Sequence, residues 1–130
     1  MPQLVRYGHQ VQVLDNLSRG RREYLQGIRD IEIIEDDICN SVAIEKAVKG
    51  VDAVIHLAAF GSVTESVRDP VENFNINVHG TFNVLNACRK SAVSQVIFAS
   101  TGGALIGNAE PPVNEQSVPR PISPYGSSKL

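Results

Sequence analysis

Two stretches near the end of the chain decide the fold: QVIFASTGG at residues 95–103 and YGSSK at residues 125–129. The first is typical of a buried strand that runs into a Ser-Thr-Gly-Gly turn. The second follows Ser123-Pro124, which suits a helix cap and a first helical residue. Residues four apart share one face of a helix, so Tyr125 and Lys129 are predicted to lie side by side.

A phenol next to an ammonium can remove a proton from a sugar or alcohol hydroxyl. A free phenol titrates near ~10, so a base that works near pH 7 needs roughly 4 kcal/mol of help. An exposed Lys one helical turn away supplies only ~0.5 kcal/mol, whereas a charge about 4 Å away at an effective dielectric of about 20 supplies about 4 kcal/mol. We therefore expect Tyr125 and Lys129 to act inside a dry pocket, with Thr101 or Ser100 sharing the substrate proton; on a solvated surface the same spacing would mean nothing.

Composition and charge exclude several classes of function. The 130 residues make about one domain, and the formal net charge of −2 offers no basic surface for nucleic acid or an anionic membrane. No apolar run approaches the ~20 residues that span a bilayer. Cys39 and Cys88 form neither a disulfide framework nor a metal-binding spacing, and they are expected to be small buried residues of a cytoplasmic protein.

The chain opens on what the sequence predicts to be the end of a helix, residues 4–7, stopped by Gly8. A strand at residues 11–14 follows and ends at Asp15-Asn16. An acid at the carboxyl end of a parallel strand can accept hydrogen bonds from ribose hydroxyls and repel a 2′-phosphate, which favours NAD over NADP; it can equally be a turn residue. A chain that begins inside a helix is expected to be a fragment.

The next two strands are predicted at residues 31–35 and 52–59. Asp37 after the first of them could reach an adenine amino group, with Ile38 covering the ring. The second is apolar, as expected of a strand covered on both faces, and its small residues at the end would let a cofactor approach. His56 within it is interpreted as a hydrogen-bonded core residue.

A helix at residues 42–49 separates these strands, and a polar loop at residues 60–66 precedes a long helix that begins at Asp69-Pro70. The long helix has a broad apolar face. Asn77 and Gly80 interrupt the pattern. Gly80 suggests a close approach to a neighbouring backbone, and Asn77 either bonds to an adjacent loop or to the cofactor side or is simply a polar surface residue. The members of the apolar face are Val71, Phe74, Val78, Phe82 and Leu85.

Strands that alternate with helices predict a doubly wound parallel sheet. With its motifs, the whole chain resembles the NAD-dependent epimerase/dehydratase family, the extended short-chain dehydrogenases/reductases. The motifs that carry this resemblance are Gly8-His9-Gln10-Val11 through Asp15-Asn16-Leu17-Ser18, Asp37-Ile38, His56-Leu57-Ala58-Ala59, Asn77-Val78-His79-Gly80-Thr81, Ser100-Thr101-Gly102-Gly103-Ala104 and Tyr125-Gly126-Ser127-Ser128-Lys129.

The resemblance implies a role for each matching residue. Tyr125 would be the base, Lys129 would bind the nicotinamide ribose and lower the pKa of the phenol, and Thr101, or Ser100 in its place, would complete the proton network. The residues that would bind NAD are Asp15, Asn16, Asp37, Ile38, Leu57, Ala58, Ala59, Asn77, Tyr125 and Lys129.

The resemblance also implies an activity. Within the family the chain is most similar to the enzymes that epimerise C4 of UDP-glucose, a step of galactose metabolism. Gly102-Gly103 stands where related dehydratases carry Asp-Glu, which disfavours dehydration. A dehydratase or reductase of another nucleotide sugar, or a non-catalytic NAD-binding module, is the alternative.

The resemblance leaves parts unmatched. Residues 1–130 would be a partial NAD-binding domain without the family's first strand, its glycine-rich turn and the substrate domain, and Ile106 replaces a usual Tyr. Such a piece is expected to be inactive alone, and the full-length protein is expected to be a homodimer that binds a nucleotide sugar and needs no metal.

Overall fold

The chain folds into short parallel strands and helices. The computed structural model describes residues 1–28 and 31–130. The strands are β1 (Val11–Asp15), β2 (Ile31–Glu35), β3 (Ala53–His56) and β4 (Gln95–Phe98). The helices are α1 (Pro2–Arg6), α2 (Ser41–Ala47), α3 (Val63–Arg68), α4 (Pro70–Phe74), α5 (Thr81–Lys90), α6 (Gly103–Ile106) and α7 (Pro124–Ser128), with a 3-10 turn at Arg22–Leu25. A π-helical segment, Asn75–Gly80, joins α4 to α5, and together they form the long helix at residues 70–90.

The strands pair in parallel, in two separate sheets. β1 pairs with β2, and β3 pairs with β4. Leu14 of β1 and Val54 of β3 pack against the same hydrophobic core, so the two sheets share one layer. The α/β class with parallel strands is therefore confirmed. No described strand lies between the pair β1-β2 and the pair β3-β4. This arrangement fits the expectation that the family's first strand is not among these residues.

The hydrophobic core lies between α2, the long helix and one face of the sheets. Its buried members are Ile38, Ile44, Val48, Val84, Ala87 and Cys88. Cys88 is the small buried residue that was predicted, and burial raises the pKa of its thiol. The same prediction was wrong for Cys39, which is exposed and directs its Sγ to the carbonyl oxygen of Asn75 at 3.5 Å.

The expectation that β3 is covered on both faces was wrong. Side chains alternate along a strand, and Val54 and Val96 face the core. The opposite face is open in the described part of the chain, since Ile55 is 47% and Ile97 is 49% exposed. The apolar sequence of β3 predicted burial, but it could not show which of its two faces these residues cover.

The long helix buries the face opposite to the one its hydrophobic pattern predicted. Its buried residues include Asn73, Asn77, Gly80 and Asn83. The predicted apolar face, which we call the apolar stripe, points outward with Val71 68%, Phe74 58%, Val78 38%, Phe82 60% and Leu85 48% exposed.

Polar residues can serve as the inner face because each finds a partner. The amide of Asn83 donates to the carbonyl oxygens of Ile38, at 3.2 Å, and Cys39, at 3.4 Å. Gly80 allows the closest approach: a Cβ there would lie 2.6 Å from Cδ1 of Ile38. The predicted close approach at Gly80 is thus confirmed, with a side chain and not a backbone as the neighbour.

Local signals placed most helix ends correctly. Asn40 caps α2 and Asp69 caps α4, each through a side-chain oxygen, and Gly8 and Gly50 adopt the positive φ expected after a helix. Two helices were missed, because residues 60–66 were interpreted as a loop and α6 was not expected. In α2, Glu45 pairs with Lys90 of α5 at 2.5 Å, and this ion pair ties α2 to the long helix.

Candidate active site

The helix α7 places the predicted base and cation. Ser123 caps it by accepting the Gly126 N–H at 3.1 Å, and Pro124 is its first residue. Tyr125 is half-buried, while Lys129, at the C-cap, is only 4% exposed. Both side chains therefore come from one short helix.

The ammonium of Lys129 lies in a dry environment. Its Nζ donates to the carbonyl oxygen of Ala99 at 3.0 Å and sits 4.6 Å from the ring centroid of Phe98. Burial lowers the pKa of Lys129. Such a cation stabilises a nearby negative charge far more strongly than a solvated one would.

Ser100 and Thr101 follow β4, directly after Ala99, whose carbonyl oxygen accepts from Lys129 Nζ. The hydroxyl of Ser100 donates to the main-chain carbonyl of Lys129 at 2.8 Å, which fastens the end of α7 to the end of β4. Among the described hydrogen bonds, the Thr101 hydroxyl makes no such tie. The Ser100 hydroxyl is therefore engaged by a main-chain group of the protein.

A second group of polar residues forms where β1 and β2 end. The amide of Asn16 donates to Oδ2 of Asp37 at 2.6 Å, so these two residues meet as the parallel pairing of the strands requires. Asp15 accepts the Leu17 N–H on Oδ1 at 2.8 Å. Its carboxylate keeps further acceptor positions for hydroxyl groups.

Asp37 is held as an anion. Burial alone would raise the pKa of its carboxyl, but hydrogen bonds from the Cys39 N–H and from Asn16 outweigh this effect and lower the pKa below its ordinary value. Burial, together with this carboxylate, raises the pKa of Cys39 to about 11. Cys39 is therefore a neutral thiol beside the strand end.

Two predicted cofactor residues are placed differently from expectation. The side chain of Ile38 is 7% exposed and packs in the core under Gly80, so it cannot cover an adenine ring, and only its main chain is left for that purpose. Asn77 is 2% exposed and holds neighbouring protein groups. Its Oδ1 accepts the Phe60 N–H at 2.7 Å, and its Nδ2 donates to Ser128 Oγ at 2.8 Å.

The segment after β3 is largely exposed to solvent. Leu57 is 65% exposed, Ala58 is exposed and Ala59 is half-buried. Main chain with small side chains at this position leaves room for a ligand to lie against it. Their placement is compatible with the predicted role beside the dinucleotide.

The helix α3, which sequence reasoning missed, connects the two groups. Its Glu65 pairs with Arg19 in the loop that follows Asp15. Its Ser66 accepts the main-chain N–H of Tyr125 at 3.1 Å. The signal for this helix was present as Ser62 followed three residues later by Glu65, and the Ser62 hydroxyl does accept the Glu65 N–H.

His56 is the hydrogen-bonded core residue that was predicted. It is 4% exposed, and its Nε2 lies 2.9 Å from Oγ1 of Thr81. Burial, with a smaller contribution from the charge of Lys129, lowers the pKa of His56 to about 4. The ring is therefore neutral at pH 7 and leaves Lys129 as the cation of this region.

We expect His56 to make the stability of the fold depend on pH. Its pKa falls from 6.5 in the unfolded chain to about 4 in the folded chain, so the unfolded state binds the proton first. The free energy of unfolding should be highest above pH 6.5 and should drop by about 3 kcal/mol as the pH falls to 4. Urea unfolding across this range measures the drop.

A matched pair of variants isolates the contribution of this histidine. His56→Gln should flatten the pH dependence between 6.5 and 4, while His79→Gln, at an exposed position, should leave it unchanged. Equal slopes for the parent and His56→Gln would contradict the assignment.

These groups fit a dinucleotide. Asp15 and Asp37 present carboxylates that suit ribose hydroxyls and an adenine amino group, and a Cβ on Gly20 would lie 3.0 Å from Oδ1 of Asp15, so the loop after β1 passes close to that carboxylate. Lys129 supplies a cation at the other group. Among residues 1–28 and 31–130 there is no cluster of His, Cys, Asp and Glu suited to a metal ion, and no helix long and apolar enough to cross a membrane.

Comparison with known proteins agrees with this architecture. The family model described as "NAD dependent epimerase/dehydratase family" matches residues 1–130. The UDP-glucose 4-epimerase of Thermus thermophilus, solved in complex with NAD, superposes with a TM-score of 0.91 at 39% identity, covering 98% of this chain and 42% of that one. The Thermotoga maritima UDP-glucose 4-epimerase, solved with UDP-glucose, gives a TM-score of 0.91 at 37% identity, covering 98% and 42%.

Two Streptomyces enzymes, an epimerase and a dehydratase, also match this chain. The UDP-glucose 4-epimerase of Streptomyces lividans is 36% identical over 98% of this chain and 39% of its own length. A dTDP-glucose 4,6-dehydratase of Streptomyces venezuelae, solved with NAD, matches at 27% identity with a TM-score of 0.89, covering 98% and 43%. This chain spans about two fifths of the length of these relatives. It belongs to the NAD-dependent epimerase/dehydratase family, whose cofactor is NAD.

Proposed function

We propose that residues 1–130 form part of the NAD-binding domain of a UDP-glucose 4-epimerase, with Tyr125 as the base. The observation that carries this proposal is the almost fully buried Lys129 on the helix that also bears Tyr125. Burying a cation is unfavourable unless its charge is paired with an opposite charge or hydrogen-bonded. A phenolate and a ribose beside it are the partners that the proposal supplies.

The residues act in a defined order. Lys129 stabilises the phenolate of Tyr125, which takes the proton of the sugar 4-hydroxyl, relayed by Thr101, and becomes a neutral phenol. NAD⁺, which Asp15, Asp37 and Lys129 would hold, would supply the hydride acceptor and donor for C4. Tyr125 would give the proton back after the 4-keto sugar had turned over within the site.

Asp15 and Asp37 hold the adenosine end. In this proposal Asp15 and Asn16 face the ribose, and Asp37 with the main chain of Ile38 faces the adenine. The main chain of residues 57–59 lies against the dinucleotide near its pyrophosphate. Asn77 does not contact the cofactor in this proposal. It holds neighbouring protein groups instead, because its side-chain amide is hydrogen-bonded to Phe60 and Ser128.

Other reactions in the family are disfavoured by the turn after β4. Dehydration needs an acid and a base near the sugar, and Gly102 and Gly103 at the start of α6 carry no side chain for either role. A dehydratase or reductase of another nucleotide sugar is the second candidate. A non-catalytic NAD-binding module is the third, and the buried Lys129 speaks against it.

We also propose that residues 1–130 alone bind NAD weakly and do not catalyse the conversion of UDP-galactose. β1 and β3 each lack one neighbour among the described strands, and Ile55, Leu57 and Ile97 are solvent-exposed. Titration of the chain with NAD by calorimetry should give a Kd above the micromolar range. Micromolar affinity would overturn this point.

A hybrid enzyme tests the catalytic proposal. In it, residues 1–130 replace the segment they match in the Thermus thermophilus epimerase, and the rest of that protein supplies the missing parts. The hybrid enzyme should convert UDP-galactose to UDP-glucose. NAD binding without turnover would favour the non-catalytic module.

We propose a homodimer for the complete protein, formed through the apolar stripe. Five side chains of the stripe are 38% to 68% exposed on one side of the long helix, and a groove of about 270 Å³ separates this side from α7. An exposed apolar surface of this kind typically marks a protein interface. A second copy fits it, because two such stripes can cover each other.

Introducing a charged residue into the apolar stripe tests whether the stripe forms the dimer interface. Phe82→Glu, which places a carboxylate in its middle, should shift the hybrid enzyme from dimer to monomer in sedimentation velocity. Lys90→Glu, on the same helix but outside the stripe, should leave the dimer intact. A monomeric parent, or a dimer unaffected by Phe82→Glu, would contradict the proposal.

A cytoplasmic enzyme of galactose metabolism is the corresponding cellular role. The reaction interconverts UDP-galactose and UDP-glucose. Cys39 and Cys88 are both unpaired thiols, as is usual in a reducing compartment.

A further inference from the structure

The first turn of α7 is held by a residue from outside the helix. The first N–H groups of a helix have no partner within it. Pro124 has no N–H, and the Gly126 N–H is bonded to the cap residue Ser123. The remaining N–H, that of Tyr125, is bonded to Ser66 Oγ at 3.1 Å.

Ser66 is suited to hold this group rigidly. It is 0% exposed, and its hydroxyl donates to the carbonyl oxygen of Val63 at 2.7 Å. A hydroxyl has one proton, so this bond fixes its orientation and leaves a lone pair for the Tyr125 N–H. Ser66 therefore acts toward Tyr125 only as an acceptor.

The carbonyl of the same residue is also held. Ser128 Oγ donates to the Tyr125 carbonyl at 2.9 Å and accepts from Asn77 Nδ2 at 2.8 Å. Both main-chain polar groups of Tyr125 are thus fixed by buried or half-buried hydroxyls. The direction of the phenol follows from the position of this main chain.

We propose that Ser66 is a positioning residue for the base: it sets the main chain of Tyr125, and through it the place of the phenol relative to the sugar hydroxyl. This inference rests on the proposed function of Tyr125. Because Ser66 shares α3 with Glu65, the partner of Arg19, the same helix fixes the loop after Asp15 and the base. A small displacement of a reacting group lowers the rate of the chemical step.

Kinetics of the hybrid enzyme test this role. Ser66→Ala removes both hydrogen bonds of this hydroxyl, the one to Val63 and the one from Tyr125, and should lower kcat by about tenfold while KM for UDP-galactose changes little. The control is Ser62→Ala, which removes another hydroxyl of α3 and should keep kcat within about twofold. An unchanged kcat in Ser66→Ala, or equal losses in both variants, would overturn the inference.

A second measurement does not depend on turnover. In the 130-residue chain, Ser66→Ala should accelerate hydrogen exchange of the Tyr125 amide by about tenfold and leave the Gly126 amide unchanged. If the parent hybrid enzyme is inactive, the proposed function fails but this exchange still decides whether Ser66 holds the base. Unchanged exchange at Tyr125, or equal acceleration at both amides, would show that it does not.

Discussion

Replacing Tyr125 by Phe should lower the turnover of UDP-galactose by the hybrid enzyme by about 10²- to 10⁴-fold, the usual contribution of a general acid–base group. Phe fills the same half-buried position at the start of α7 and lacks only the phenolic oxygen. KM for the sugar nucleotide and the content of bound NAD should therefore stay near the parental values. Initial rates at saturating UDP-galactose give the measurement.

Tyr24→Phe is the matched control for this change. Tyr24 is 71% exposed in the 3-10 turn at Arg22–Leu25, away from α7, and its replacement should leave turnover at the parental rate. If Tyr125→Phe behaved like this control, another residue would have to serve as the base.

Replacing Lys129 by Met should lower turnover by at least about 10²-fold, because a charge in a low-dielectric site supplies on the order of 4 kcal/mol to a nearby phenolate. Met keeps the length of the side chain and its packing on Phe98 without the charge. Removing a buried cation relieves its desolvation, so the folded chain should be no less stable. Turnover and the urea midpoint are measured on the same variant.

Lys90→Met is the control for general loss of a lysine. Lys90 forms the surface ion pair with Glu45 and lies outside the candidate site. It should change stability by less than about 1 kcal/mol and turnover not at all. A Lys129→Met variant that is strongly destabilised and fully active would contradict the role assigned to this cation.

Local signals in the sequence were sufficient to place the helix that carries the site. Ser123 and Pro124 determine where α7 begins, because a cap acts within one turn of its own residue. The four-residue spacing then puts Tyr125 and Lys129 on that helix and its C-cap. The roles of these residues stay predictions, but their common location follows from neighbouring residues alone.

Burial could not be predicted in the same way. The pattern of Phe74, Val78 and Phe82 shows that one face of the long helix is apolar, but what covers that face depends on groups outside the helix. The core instead takes the face with Asn77 and Gly80, whose partners, Phe60, Ser128 and Ile38, are distant in sequence. Ile38 was misplaced for the same reason.

The structural difference between Ser100 and Thr101 also depends on a distant contact. Both follow β4, and the sequence left the spacing open by one residue. The bond from Ser100 to the carbonyl of Lys129 joins residues 29 positions apart, and it engages the hydroxyl of Ser100. A contact between residues so far apart does not produce a repeating pattern in the sequence, so it could not be predicted from the sequence.

The most direct test of the central claim follows the hydrogen at C4. The hybrid enzyme is supplied with UDP-galactose that carries deuterium at C4, and the product UDP-glucose is analysed by mass spectrometry and NMR. If a hydride leaves C4 and returns to the opposite face of the same sugar within the site, the deuterium should be retained at C4 of the product. Exchange of the deuterium for solvent hydrogen, or no UDP-glucose despite bound NAD, would contradict the account.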